Sequence, residues 1–250
     1  MTTERKPLGE RLWRAFRLSL YLGARPFVLA AFRLIFGFRI EGLENVPKKS
    51  GALVICNHIH NSDPILLVAA YPRPLLWMAK KEVFSVPVIG WIADSAGAFP
   101  VDRGSADRAA MRNAERLLRE HYLVGVFPEG TRSVTGGLKD VYPGVALIAV
   151  KSGVPILPTA IIGSDRLPFN GHKGRRRRSG RLCVTVRIGR PFELAAKDAA
   201  GKRRDLSELT DEMMIEIAKL LPEDYRGIYT ERLRALESES SPSLTSTAND

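Results

Sequence analysis

Leu53-Val54-Ile55-Cys56-Asn57-His58-Ile59-His60-Asn61-Ser62-Asp63-Pro64 is the stretch from which the chain is best read. Its first four residues form an apolar run of the kind a buried strand presents. Asp63 before Pro64 reads as a helix start, because Asp caps free backbone N–H groups and proline tolerates the first helical position. The spacing therefore predicts strand, loop and helix. His58 leaves the strand's C-terminal end, and Asp63 stands at the next helix's N-terminus. One turn of loop brings the carboxylate to the imidazole. A carboxylate fixes a histidine tautomer and supports its positive charge, which a general base needs. On this spacing alone, a histidine satisfied beside a capping aspartate remains an alternative.

The same alternation continues outward. Leu75 to Ala79, Leu123 to Phe127, Ile156 to Ile162 and Leu182 to Ile188 read as strands. Pro64 to Ala70, Ala106 to His121 with Ser105 as its cap, and Gly144 to Ser152 closed by Gly153 read as helices. Leu206, Leu209, Met213, Ile217 and Leu220 stripe a late helix. Strands alternating with helices predict an α/β fold with a mostly parallel central sheet flanked by helices. In such sheets, sites gather at the strands' C-terminal ends. His58 follows one such end, and Glu129 follows another.

Three further segments follow in order: Gly97-Ala98-Phe99-Pro100-Val101-Asp102-Arg103, Val126-Phe127-Pro128-Glu129-Gly130-Thr131-Arg132-Ser133, and Val154-Pro155-Ile156-Leu157-Pro158-Thr159-Ala160-Ile161. With Asn57-His58-x4-Asp63, they make four ordered blocks that span about residues 52 to 162. The chain resembles the glycerolipid acyltransferases that include the 1-acylglycerol-3-phosphate acyltransferases. Those proteins carry N-H-x4-D, G-x-x-F-x-x-R, F-P-E-G-T-R-S and a Val-Pro-x-x-Pro strand in that order.

The resemblance implies acyl transfer from a thioester, acyl-coenzyme A or acyl-carrier protein, to the sn-2 hydroxyl of lysophosphatidic acid. It implies His58 as the base, with Asp63 orienting it. It gives Arg103, Glu129, Gly130, Thr131 and Arg132 to recognition of the acceptor's phosphate. Both arginines are fork-shaped donors suited to a phosphate monoester, and Gly130 permits close backbone approach at a turn. No cofactor is expected beyond the acyl donor. Glu129, as an anion, is expected to hold an arginine or accept from a substrate hydroxyl. Another lysophospholipid or glycerol phosphate is the alternative acceptor. A non-catalytic protein that binds anionic lipid is the alternative of another class. Absence of a G-x-S-x-G elbow favours direct attack without an acyl-enzyme, and Cys56 is the rival nucleophile. One departure stands out. Where the family often shows an aromatic-Lys-x-Gly run, this chain reads Val141-Tyr142-Pro143-Gly144, with Lys139 displaced upstream.

The 250 residues carry 45% hydrophobic and 26% charged side chains, which suits a globular domain. Thirty-eight Lys and Arg against 27 Asp and Glu leave a net charge of +11, which calls for an anionic partner or surface. Two cysteines, Cys56 and Cys183, make no disulfide framework or zinc pattern and read as buried free thiols. The His58-x-His60 pair lacks further ligands in its own segment, so no metal is expected.

Residues 1–39 read as a pair of amphipathic helices in the membrane interface, with Pro26 ending the first. Arg11, Arg14, Arg17 and Arg25 share one side, and Leu12, Trp13, Phe16 and Leu20 share the other. No apolar run there reaches the roughly 20 residues needed to span a bilayer. The acyltransferase domain is expected over 40–236 and a disordered tail over 237–250. Residues 166 to 190 hold nine Lys and Arg and no acids, with Arg175, Arg176, Arg177 and Arg178 in one run. Without aromatic interleaving, this loop reads as a patch for anionic lipid or an acidic carrier protein, not for nucleic acid. These features place the chain at the cytoplasmic face of the cell membrane as a peripheral protein.

Overall fold

The computed structural model describes residues 23–95, 97–102, 107–141, 143–168 and 182–240. The fold is α/β, as the alternating segments predict. Seven strands, β1 (Arg39–Glu41), β2 (Ala52–Cys56), β3 (Leu75–Lys80), β4 (Phe99–Val101), β5 (Leu123–Val126), β6 (Ile156–Ile162) and β7 (Thr185–Ile188), form one sheet in the order β1-β7-β6-β2-β5-β3-β4. Every pairing is parallel except β6 with β7. Helix α1 covers 23–36. It is followed by α2 (Asp63–Ala70), α3 (Pro87–Ser95), α4 (Arg108–Arg119), α5 (Gly144–Ser152), α6 (Leu206–Leu220), α7 (Glu223–Arg226) and α8 (Thr230–Ser240).

Strand β2 lies at the centre because its sequence leaves no polar face. Leu53, Val54, Ile55 and Cys56 are fully buried, with β5 on one side and β6 on the other. A strand covered on both faces reads as a continuous apolar run. Leu157 and Ile161 of β6 and Met213 and Ile217 of α6 are also in this core. Asn57 extends β2 by one residue with its side chain. Its Nδ2 donates to Ile161 O at 2.9 Å, and its Oδ1 accepts from Ile161 N at 2.8 Å. The amide thus replaces a peptide where the backbone turns away. Pro158, which has no N–H for a ladder, pairs with Ile55 and accepts from Gly189 N just past the end of β7.

Several expected boundaries move. Helix α4 is capped by Asp107, whose Oδ1 accepts from Ala109 N at 3.1 Å and Ala110 N at 2.9 Å. Ser105 lies outside the described residues. The caps differ because a carboxylate two residues later reaches the same free N–H groups. Helix α8 continues to Ser240, past the expected tail boundary at 237, and residues 241–250 lie outside the described residues. Cys56 is buried as expected, but Cys183 is only half-buried, with Sγ near Gly37 O. It precedes β7, whose ladder begins two residues later.

Arg11, Arg14, Arg17 and Arg175 to Arg178 lie outside the described residues. Pro26 falls within the first described turn of α1 and does not end it. Arg25 turns inward, donating from Nε to Ala69 O at 3.1 Å and from Nη2 to Ala70 O at 2.9 Å. Those carbonyls end α2 and have no onward helical N–H, so a guanidinium satisfies them well. No helix among the described residues is long and apolar enough to cross a membrane.

Gly125 stands opposite Trp77 across β5 and β3, and a Cβ there would meet the indole ring at 2.8 Å. Gly125→Ala therefore overpacks the sheet and lowers stability by about 1–3 kcal/mol. Urea denaturation checks this, through a lower midpoint at unchanged slope.

Candidate active site

Parallel strands β2, β5 and β6 end at one edge of the sheet. Each releases a loop there, and the three loops meet. The loop after β2 carries His58 to Asp63. The turn after β5 carries Phe127 to Ser133. The turn after β6 carries Gly163 to Asp165.

His58 Nδ1 lies 2.9 Å from Asp63 Oδ2. Asp63 is fully buried, and the His58 side chain is 11% exposed. A carboxylate only accepts, so Nδ1 carries the proton of the neutral ring and Nε2 carries the lone pair. Asp63 does not cap its helix, contrary to the expectation from sequence. It is the first residue of α2, and Ser62 is the cap position, with no side-chain cap bond. The Asp63 carboxylate turns back into the loop. Its Oδ2 also accepts from Ile59 N at 2.7 Å and His60 N at 2.6 Å, and its Oδ1 accepts from Ser164 Oγ at 2.6 Å. A buried carboxylate needs compensating donors. The tight loop presents two N–H groups before the helix offers any. His60 braces the same loop, its Nδ1 accepting from Ser62 N at 3.0 Å.

The turn after β5 grips the His58 backbone from both sides. Glu129 Oε1 accepts from His58 N at 3.1 Å, and Ser133 N donates to His58 O at 2.8 Å. Glu129 therefore holds the histidine's own peptide, a role its place in the sequence did not reveal. Its other oxygen, Oε2, is buried without a hydrogen-bond partner among the described residues. Burial pushes the Glu129 carboxyl up to about 7, with the Asp63 charge adding to the rise and the His58 N–H and Lys139 opposing it. Gly130 follows at φ +66°, a left-handed turn that a side chain resists. Lys139 Nζ donates to Thr131 Oγ1. The displaced lysine thus returns to this turn. Arg132 is half-buried on the same turn. Arg103 lies outside the described residues, while its neighbour Asp102 holds Lys81 at 2.6 Å.

Three groups escaped the sequence reading. Phe127 stacks on the His58 ring with centroids 4.0 Å apart at 14°, and Trp77 stacks on the other side of Phe127 at 4.4 Å and 16°. The imidazole is held by π-contact as well as by Asp63. Phe127 was visible as the aromatic that opens F-P-E-G-T-R-S, whereas Trp77 lies fifty residues earlier. The third is Ser164, whose hydroxyl reaches Asp63 from β6. Cys56 is close by, but burial and the charges of Asp63 and Glu129 push its thiol well up. That makes it a poor nucleophile.

The model of the Acyltransferase family matches residues 37–162. The chain is 30% identical over 139 residues to a 1-acyl-sn-glycerol-3-phosphate acyltransferase of Borreliella burgdorferi, a match covering 55% of this chain and 54% of the relative. It thus spans about half that relative's length. It is 30% identical over 216 residues to the lyso-ornithine lipid O-acyltransferase of Pseudomonas aeruginosa, covering 81% of this chain and 78% of the other. The crystal structure of the 1-acyl-sn-glycerophosphate acyltransferase PlsC from Thermotoga maritima superposes with a TM-score of 0.55 at 25% identity, covering 84% of this chain and 88% of that one. The chain belongs to the acyltransferase family, as its four sequence blocks implied.

The raised carboxyl of Glu129 makes stability depend on pH. The folded state holds this proton up to about 7, against an ordinary 4.5, so the benefit is complete below 4.5 and lost as pH rises through 7. Between those limits the wild type should lose about 3 kcal/mol through this group, and Glu129→Gln should not. Urea titrations of both proteins across that range measure the difference. Parallel pH curves for the two would remove this account of Glu129.

Proposed function

We propose that the chain is a membrane-surface enzyme that moves a fatty acyl group from acyl-coenzyme A or acyl-carrier protein to the sn-2 hydroxyl of lysophosphatidic acid, making phosphatidic acid. The observation that carries this reading is the 2.9 Å His58–Asp63 contact beside the Glu129 turn at the sheet edge. His58 Nε2 takes the proton of the attacking hydroxyl. The hydroxyl oxygen then bonds to the thioester carbonyl. Collapse of the tetrahedral adduct breaks the carbon–sulfur bond, and the departing thiolate recovers the proton from His58. Asp63 stabilises the imidazolium between the two transfers. Arg103 and Arg132 hold the acceptor's phosphate, and the turn of Gly130 and Thr131 lets it approach the backbone.

The N-terminal segment 1–39 lies in the interface of the cytoplasmic leaflet in this reading, with Arg11, Arg14, Arg17 and the Arg175–Arg178 run meeting lipid phosphates. Helix α1 supports it. Leu29 is buried in the core while Phe27, Leu34 and Ile35 stand 77%, 88% and 61% exposed. Apolar side chains this exposed on the outer side of a helix suit burial in lipid. The acyltransferase domain then covers 40–236.

A second reading changes only the acceptor. The similarity to a lyso-ornithine lipid O-acyltransferase extends over four-fifths of the chain and favours a lysolipid whose headgroup is an amino acid.

Turnover of the purified protein in anionic micelles, with palmitoyl-coenzyme A or palmitoyl-acyl-carrier protein as donor and lysophosphatidic acid or lyso-ornithine lipid as acceptor, tests both readings. Phosphatidic acid should form, and His58→Ala should lower kcat by about 10²–10⁴-fold. A higher kcat/KM with lyso-ornithine lipid selects the second reading. Equal turnover by His58→Ala, or no product with either acceptor and either donor, ends the catalytic one.

A further inference from the structure

We infer that Ser164 is a positioning residue for acyl transfer: it fixes the carboxylate that holds His58, and the C-terminal part of the chain braces it through Tyr225. The inference rests on the reading of His58 and Asp63 as the reacting pair.

Asp63 Oδ2 is crowded with donors, whereas Oδ1 has Ser164 Oγ at 2.6 Å. Both residues are fully buried. Without this hydroxyl, an anionic oxygen would lie in the core with no donor of its own, a costly arrangement that a carboxylate relieves by rotating or taking up a proton. Either response spoils the contact with the imidazole. Rotation is easy in principle, because the terminal torsion of Asp is broad.

Ser164 is itself held. It follows Gly163 at φ +83°, where an added Cβ would stand 2.1 Å from Cys183 O. The Tyr225 hydroxyl accepts from Gly163 N at 3.0 Å and donates to Asp165 Oδ1 at 2.8 Å. Tyr225 and Asp165 are each 4% exposed. A continuous buried chain therefore runs from Tyr225 on α7, through the Gly163–Asp165 turn, to Asp63 and His58. Ser164 and Tyr225 both fall beyond the residues 37–162 that the family model matches.

The test compares Ser164→Ala, Ser164→Thr and Tyr225→Phe with wild type and His58→Ala in the micelle assay, using the acceptor that the wild type turns over. Ser164→Ala should lower kcat about tenfold or more, with both KM values within about twofold, since misplacing a reacting group costs rate and not binding. Ser164→Thr keeps the hydroxyl and should recover most of that loss. Tyr225→Phe should lower kcat in the same direction. Should Ser164→Ala fail to fold by circular dichroism, Ser164→Cys keeps the shape, weakens the donor and carries the same kcat criterion. A folded Ser164→Ala enzyme with kcat within about twofold of wild type, beside an inactive His58→Ala, overturns the inference alone. A His58→Ala enzyme that still turns over removes the reading beneath it, and the inference with it.

Discussion

A single buried carboxylate organises this molecule. Asp63 has no contact with water and carries three donors on one oxygen and a fourth on the other. An uncompensated anion in that place would cost several kcal/mol, so the loop must close around it. Closing the loop turns the His58 ring toward Asp63 and points two successive peptides inward. It also requires Ser164 from a different strand, so the ends of β2 and β6 must stay in register. The paired positions Cys56 and Thr159 and the Asn57 amide on Ile161 maintain that register.

Around this anchor, each neighbouring segment holds the histidine in a different way. The turn after β5 takes its peptide, through Glu129 and Ser133. Phe127 takes the face of its ring, backed by Trp77. Glu129 remains half-satisfied, with one oxygen on His58 N–H and the other buried without a partner among the described residues. Burial resists a full negative charge there, the charge of Asp63 adds to that, and the carboxyl is raised toward neutrality accordingly. Lys139, bonded to Thr131, offsets part of that cost.

Much of this was legible in the chain. The run Leu53 to Cys56 is apolar throughout, and Ile156 to Ile162 departs from that only at Thr159, as suits strands covered on both faces. The helix from Leu206 to Leu220 announced itself by its stripe. His58 and Asp63 were found because their spacing is short and local. Phe127, Trp77, Ser164 and Tyr225 were not, because each meets the site through a contact that crosses strands. Ser164 looks like any serine after a strand until the register of β6 on β2 sets it against Asp63. The capping role expected of Asp63 failed for a related reason. A carboxylate at a helix start can serve the N–H groups ahead of it or behind it, and only the curvature of the loop decides.

The sequence by itself determined the sheet class, the burial of the Leu53–Cys56 strand and the pairing of an imidazole with a carboxylate five residues on. Local periodicity and short spacing suffice for these, since they depend on which side chains can be buried and how far a loop reaches. Tertiary structure alone decided that Glu129 holds a peptide, that the imidazole lies on an aromatic stack, and that Asp63 leans on Ser164 and Tyr225. Those partners are 71, 69, 101 and 62 residues apart along the chain, counting Glu129 and Phe127 from His58, Ser164 from Asp63, and Tyr225 from Gly163. Strand order and register bring them together, and no local pattern encodes either.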